Sequence, residues 1–191
     1  TLPHQVRGYV LRSPHAHAEI RAIDSSSAAA MPGVRMILTG EDYRADGHGD
    51  LKCGSLWNPD QYQHPNPPLA IGRARFVGDP VAFVIADTVD QAKDAAEAVI
   101  VDYEVLPALT KTAGAMDDDA MLVWEDCARN ECFYEQRGYA EETKAAFEKA
   151  DIVVERIFNI TRTITNTIEP RAYIGDYNPT DQRYALYTGL H

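Results

Sequence analysis

A turn, an apolar run and a helix-capping signal follow one another in GDPVAFVIADTVDQ, residues 78–91. The Gly-Asp-Pro triplet is typical of a tight turn. The apolar run 81–86 predicts a strand that is buried on both faces. Thr88 and Gln91 have the spacing of a capping box at a helix N-terminus. The stretch therefore predicts a turn, a buried strand and a helix that continues to about Ala98.

The segments on either side predict more short elements of the same kind. Residues 99–105 alternate between apolar and polar side chains, which predicts a strand with one dry face that Pro107 ends. Towards the N-terminus, residues 19–24 predict a strand, 25–31 a helix capped by serine, and 34–38 a further strand closed by Thr39-Gly40. We expect residues 19–38 to form a strand–helix–strand unit.

Two stretches lack this regularity. Residues 44–74 are rich in proline and glycine, and we expect Trp57 and Tyr62 to pin this loop onto its own domain or onto a partner. Residues 109–138 carry a solvated acidic run and the single aromatic anchors Trp124 and Phe133, and we interpret them as a linker between domains.

Regular signals return from residue 139. They predict a helix over 141–150, a strand over 151–158, more strand over 161–167 and a hairpin of 173–177 with 184–188. About 50 residues are too few to bury an adequate core. Because the chain also starts at a residue other than Met, we expect a piece of a longer chain, with a processed mature protein as the alternative.

Composition restricts the classes of partner. The 191 residues carry 18 Lys and Arg against 29 Asp and Glu, a formal net charge of −11. A strongly acidic chain lacks the basic surface that nucleic acids and anionic membranes require. No apolar run approaches the roughly 18 residues of a membrane span. The three cysteines show no Cys-x-x-Cys spacing, which favours reduced thiols in the cytoplasm, with a regulatory disulfide as the alternative.

Few residues suggest chemistry by themselves. His15 and His17 are two residues apart and would share one face of a strand, but no third ligand is nearby, so a structural role is favoured over a metal site. Asp102 and Glu104 also share a strand face, where a solvated edge is favoured over acid–base work. No glycine-rich phosphate loop and no Gly-x-Ser-x-Gly elbow occurs.

Several short pieces together resemble the molybdopterin-binding large subunit of the xanthine dehydrogenase and aldehyde oxidase family, in particular aerobic carbon monoxide dehydrogenase large chains. The order and spacing of the pieces over nearly the whole chain carry the resemblance. They are LRSPHAHA (11–18), VGDPVA (77–82), VDYEVLPA (101–108), Ala146-Phe147 with Ala150-Asp151, and EPRA (169–172).

The resemblance implies a fold and a domain arrangement. Residues 1–108 would form an α/β hammerhead domain in an α/β (α+β) fold, 109–138 a linker, and 139–191 the incomplete beginning of the molybdenum-cofactor-binding domain. The family's glycine-rich loop beside the cofactor and its glutamate base would both lie beyond residue 191. The fragment alone would therefore be structural and inactive.

The resemblance also implies a parent enzyme and its cofactors. Such an enzyme oxidises carbon monoxide, an aldehyde or an N-heterocycle with oxygen from water. Molybdenum–molybdopterin would pass electrons to [2Fe–2S] and FAD on partner subunits or domains, in a homo-oligomer of the heterotrimer. The family often has Gln near the molybdenum where this chain has His191, which makes His191 the single cofactor-binding candidate. A free-standing α/β binding or regulatory module, or an assembly or storage protein without redox chemistry, is the alternative.

Overall fold

The computed structural model describes residues 2–52, 61–160 and 168–189 and divides into two units, residues 1–137 and 138–191. Within its described residues, the first unit contains six strands, three α-helices and a 3-10 turn. They are β1 Arg7–Arg12, β2 Ala18–Asp24, α1 Ser26–Ala29, β3 Val34–Thr39, α2 Gly40–Ala45, β4 Arg73–Ala74, β5 Pro80–Ala86, α3 Val89–Ala98, β6 Ile100–Val105 and the turn Ala128–Asn130.

The strands of the first unit form two antiparallel sheets of three. In one sheet β5 lies between β1 and β3, and in the other β2 lies between β4 and β6. This mixed arrangement confirms the predicted α/β (α+β) class. The position of β5 explains its composition, because a central strand covered on both faces has no side for polar residues. None of its residues is exposed.

Helix α3 packs against the sheet of β5 and builds the core. Its N-terminus has the predicted capping box, since the Thr88 hydroxyl accepts from the Gln91 backbone N–H and the Gln91 side chain accepts from the Thr88 N–H. The core consists mainly of small residues, which let the helix approach the sheet closely. Its buried members are Ala28, Val84, Ala86, Ala92, Ala95, Ala96 and Val99. On the neighbouring strand, Gly8 leaves room for the Phe83 ring, because a Cβ there would lie 2.3 Å from Phe83 Cζ.

Strand β3 ends at Thr39-Gly40, as predicted, and the Thr39 hydroxyl also caps helix α2. The predicted strand–helix–strand order is present, but β2 and β3 belong to different sheets. Two predictions for the first unit were wrong. Helix α1 is only four residues long and lacks a serine side-chain cap; the Asp24 carboxylate instead accepts from the Ser26 N–H at 2.9 Å. Val105, expected on the dry face of β6, is 63% exposed.

The second unit has helix α4 Ala140–Glu148 and a hairpin of β7 Tyr173–Asn178 with β8 Arg183–Thr188, as predicted. The predicted strand over 151–158 is wrong, because this stretch has no regular structure and pairs with no strand of the described residues. The predicted strand over 161–167 lies outside the described residues. No residue of the second unit is buried within its described ranges, 138–160 and 168–189.

None of the helices within the described ranges is both long and apolar enough to cross a membrane.

The turn before β5 requires glycine for its backbone conformation. Gly78 has φ +91°, its N–H donates to the Ser13 carbonyl at 2.8 Å, and a Cβ there would meet no atom within 4 Å. A side chain is therefore opposed by the backbone angle and not by crowding.

We expect Gly78→Val to lower the free energy of unfolding by about 1–3 kcal/mol, because valine strongly resists positive φ. Gly49→Val is the matched control, since Gly49 also has open space around it but does not have positive φ. Equilibrium denaturation of the two variants checks the prediction. Equal losses in both would show that the backbone angle at Gly78 is not what matters.

Candidate functional site

The two histidines of the His15-Ala16-His17 motif have different surroundings. His17 is buried, and its Nδ1 lies 2.8 Å from the Pro107 carbonyl oxygen, so Nδ1 carries the hydrogen. Its Nε2 is buried without a hydrogen-bond partner. His15 instead packs edge-on against the Tyr103 ring at 4.9 Å. The motif thus joins the start of β2 to the end of β6, which fits the predicted structural role.

The carboxylates of β6 lie at a solvated sheet edge, as expected. Asp102 is exposed, and Glu104 accepts hydrogen bonds from the Arg21 guanidinium on β2. That ion pair raises the pKa of Arg21. Because the guanidinium and the carboxylate are both exposed, the pair contributes little to stability. The arrangement does not form an acid–base pair in a cleft.

Two further histidines each pack against a different aromatic ring. His48 packs against the Tyr43 ring at 4.9 Å, and His64 stacks on the Trp124 ring at 5.0 Å. His191, the candidate cofactor-binding residue, lies outside the described residues, as does Trp57. In the described parts of the chain, no group of three His, Cys, Asp or Glu side chains could hold a metal ion.

The main polar cluster of the first unit is one that the sequence did not reveal. We name it the Trp124 clasp and define it as Tyr62, His64, Arg75, Trp124 and Asp126. The Arg75 guanidinium lies over the Trp124 ring, 3.5 Å from its centre, and the Tyr62 hydroxyl donates to the Asp126 carboxylate. With the His64 stack, these contacts fasten the loop before β4 and the segment after β6 to each other. The sequence prediction that Tyr62 pins its loop onto its own domain is confirmed.

Backbone and charge contacts strengthen the clasp. The Tyr62 N–H donates to the Cys132 carbonyl at 2.8 Å, and Arg75 Nε donates to the Val123 carbonyl at 3.3 Å. Burial and the neighbouring Arg73 lower the pKa of Arg75. Arg73 itself bridges Glu19 and Glu125, each at 3.0 Å. The positive charges of this cluster are therefore balanced by carboxylates.

A cleft of about 390 Å³ opens beside the clasp and is lined in part by Gly72, Arg73 and Trp124. Its size is within the range of small-molecule sites. A second cleft of about 370 Å³ has apolar walls that include Val10 and Phe83. The second cleft is also lined by Tyr43, Asp46 and His48. Both clefts are large enough to accommodate a small group.

The Tyr62 phenol has a raised pKa. Partial burial, followed by its hydrogen bond to the Asp126 carboxylate, raises the pKa to about 12. The folded protein therefore holds this proton more tightly than the unfolded chain, whose tyrosines titrate near about 10. The stabilisation is fully present below about pH 10 and is lost as the pH rises towards 12.

We expect a spectrophotometric titration of phenolate to show one tyrosine ionising near pH 12 or only with unfolding. Tyr62→Phe should remove this late step and reduce the alkaline dependence of stability between about pH 10 and 12. Tyr139→Phe is the control, because Tyr139 is exposed. If the late step persists in Tyr62→Phe, the step belongs to another tyrosine and the prediction is wrong.

The two antiparallel sheets, with α3 covering β5, define the class as a mixed α/β domain. Residues 1–107 match the family described as "Aldehyde oxidase and xanthine dehydrogenase, a/b hammerhead domain". The chain belongs to this family. The match confirms the family and the hammerhead domain that the sequence motifs suggested.

Individual relatives extend the similarity over most of the chain. The carbon monoxide dehydrogenase large chain of Afipia carboxidovorans is 36% identical over 181 residues, covering 88% of this chain and 21% of the relative. The nicotinate dehydrogenase large molybdopterin subunit of Eubacterium barkeri is 29% identical over 178 residues, covering 93% of this chain and 39% of the relative. The chain therefore spans about a fifth to two fifths of these relatives.

Solved structures agree in fold. The crystal structure of a Cu,Mo carbon monoxide dehydrogenase in its carbon monoxide reduced state has a TM-score of 0.81 at 31% identity, covering 98% of this chain and 24% of the other. The aldehyde oxidoreductase of Desulfovibrio gigas has a TM-score of 0.80 at 28% identity, covering 98% of this chain and 20% of the other.

Proposed function

We propose that the chain is the N-terminal part of the large subunit of a molybdenum hydroxylase. The parent enzyme would oxidise a small substrate, namely carbon monoxide, an aldehyde or an N-heterocycle, with water as the oxygen source. The observation that carries the proposal is the 31% identity to a carbon monoxide dehydrogenase structure over 98% of this chain at a TM-score of 0.81. The relative named as a large molybdopterin subunit supports the same assignment.

The parent's molybdenum–molybdopterin supplies the redox chemistry when bound, with [2Fe–2S] and FAD on partner subunits or domains as the electron acceptors. Among the described residues, no group of three His, Cys, Asp or Glu side chains could hold a metal ion. We therefore assign no step of the reaction to them. In this proposal residues 1–108 are a structural hammerhead domain, and 139–191 begin the cofactor-binding domain.

His191 is the one position that we propose for the cofactor side of the parent enzyme, by its resemblance to the family's Gln. We also propose a cytoplasmic heterotrimer that forms a homo-oligomer. The relative named as subunit gamma of a 6-hydroxypseudooxynicotine dehydrogenase complex supports a multi-subunit assembly. The free thiols of Cys127 and Cys132 are consistent with a reducing compartment.

The proposal is tested by expressing the full-length parent with its neighbouring genes and comparing it with the 191-residue chain. We expect the purified parent to contain near-stoichiometric molybdenum and a pterin, and to reduce a dye in the presence of carbon monoxide, an aldehyde or an N-heterocycle. We expect the chain alone to contain no molybdenum, iron or flavin. A parent without molybdenum would favour the alternative of a free-standing α/β binding module.

A further inference from the structure

Two cysteines lie on either side of the 3-10 turn in the first unit. Cys127 is only 4% exposed, whereas Cys132 is exposed. The Asn130 N–H donates to the Cys127 carbonyl at 3.1 Å, and the Cys127 thiol donates to the Glu131 carbonyl at 3.7 Å. The Cys127 sulfur therefore lies beside the peptide that joins Glu131 to Cys132.

The backbone of this turn is held in an unusual conformation. Arg129 and Asn130 both have positive φ, 57° and 54°, although neither is glycine. Such angles persist only where surrounding contacts impose them. The Asn130 side chain supplies those contacts, because its Oδ1 accepts from the Val123 N–H and its Nδ2 donates to the Ala115 and Met121 carbonyls. The turn is therefore a built feature that keeps the Cys127 sulfur beside the peptide that precedes Cys132.

The same turn contacts the Trp124 clasp. The carbonyl of Cys132 accepts from the Tyr62 N–H at 2.8 Å, and the residue before Cys127, Asp126, accepts from the Tyr62 hydroxyl. A covalent link across the turn would fix both acceptors of Tyr62 relative to each other. The oxidation state of the thiols would thus affect how firmly the loop before β4 is held.

We propose that Cys127 and Cys132 form a reversible disulfide when the protein meets a peroxide. The peroxide oxygen reacts first with the accessible Cys132 sulfur, giving a sulfenic acid and one water. The Cys127 sulfur then attacks the Cys132 sulfur, the S–S bond forms, and the hydroxyl leaves with the Cys127 proton as a second water. Overall, two thiols are oxidised and one hydrogen peroxide is reduced to two waters. A dithiol reductant reverses the reaction by exchange.

The environments of the two sulfurs favour this order. Burial, together with the neighbouring Cys132 thiol, raises the pKa of the Cys127 thiol, so little thiolate forms there. Cys132 is the sulfur that a solute can reach. The Cys127 sulfur already lies 3.7 Å from the Glu131 carbonyl oxygen, next to Cys132 in the chain. Rotation of the exposed Cys132 side chain can therefore bring the two sulfurs to an S–S bond of about 2.05 Å.

Trypsin separates the three cysteines, since it cuts after Lys52, Arg73, Lys111, Arg129 and Arg137. Cys53 is then in peptide 53–73, Cys127 in 112–129 and Cys132 in 130–137. After hydrogen peroxide treatment, we expect the denatured chain to take up one alkylating label where the reduced chain takes up three. We expect peptides 112–129 and 130–137 to be joined and two hydrogens lighter than their sum. Dithiothreitol should restore all three labels.

Three variants make the test specific. Cys53→Ser should still yield the joined peptides, while Cys132→Ser should not. In Cys127→Ser, dimedone should trap a sulfenic acid on peptide 130–137. Three labels after peroxide treatment, a link that includes peptide 53–73, a link between two chains, or a failure of dithiothreitol to restore the thiols would each overturn the proposal. The unsubstituted chain provides the linkage result even if a variant fails to fold.

Discussion

The isolated segment 138–191 is expected to remain unfolded, whereas the isolated segment 1–137 is expected to fold. In the described residues after 137, only Ala145 and Ile174 are even partly buried, while Ile157 is 96% and Phe158 81% exposed. A nine-residue helix and a two-stranded hairpin are each only marginally stable in water when they share no core. By contrast, the first unit has the core between α3 and the sheet of β5.

Amide hydrogen exchange on the two segments, expressed separately, measures the difference directly. We expect exchange in 138–191 at nearly the rates of an unstructured peptide, and strong protection of β5 and α3 in 1–137. The intact chain is the control for any effect of cutting. Strong protection in monomeric 138–191 would contradict the prediction and would show that these residues form a domain by themselves.

The boundary between the two expressed segments is placed after residue 137 because the Trp124 clasp includes residues up to Asp126. A cut near residue 108 would remove Trp124, the partner of the Arg75 guanidinium, and Asp126, the partner of the Tyr62 hydroxyl. It would also remove the carbonyl of Cys132, which accepts from the Tyr62 N–H. The predicted linker 109–138 thus contributes contacts to the first unit, although it contains no regular element longer than a 3-10 turn.

The elements that the sequence predicted correctly are those with local causes. The capping box at Thr88 needs only residues three apart, and the hairpin of β7 and β8 needs only the turn between its strands. The buried run before Thr88 predicts a central strand because it has no polar side. Each of these signals operates within about ten residues, which is the distance over which helix caps, turns and periodicity act.

The errors arise where pairing between distant segments decides the structure. Strand β3 pairs with β5, more than 40 residues later, and β2 pairs with β6, more than 70 residues later. Nothing in the local pattern of residues 19–38 indicates that β2 and β3 belong to different sheets. Residues 151–158 have strand-forming side chains, but a strand also needs a partner for its backbone groups, and they have none among the described residues.

The Trp124 clasp was missed for the same reason. Arg75 and Trp124 are 49 residues apart in the sequence, and Tyr62 and Asp126 are 64 apart. The sequence indicated only that Trp124 and Tyr62 were aromatic anchors in otherwise irregular stretches. An aromatic residue in such a stretch predicts a contact, but its partner is set by the fold. The positive φ at Asn130, which positions Cys127 and Cys132, likewise depends on tertiary hydrogen bonds.

We expect Val84→Asp to destabilise the first unit by about 4 kcal/mol or more at neutral pH, because it places an unpaired carboxylate in an apolar core. Val84 is fully buried at the centre of β5, in the cluster with Ala92 and Ala95 of α3. A loss of this size is a large fraction of the roughly 5–15 kcal/mol that stabilise a domain. Denaturant unfolding and near-ultraviolet circular dichroism measure the effect.

Ile100→Asp is the control, because Ile100 is also in a strand but is 64% exposed, and it should cost no more than about 1 kcal/mol. The pH dependence of the stability loss separates the effect of the buried charge from the effect of lost packing. Burial raises the pKa of the new carboxyl, so the deficit of Val84→Asp should grow as the pH rises above about 4, where an unfolded aspartate ionises, and stop growing above the raised pKa. A deficit that does not change with pH would attribute the loss to packing alone and would contradict the placement of Val84 in a dry core.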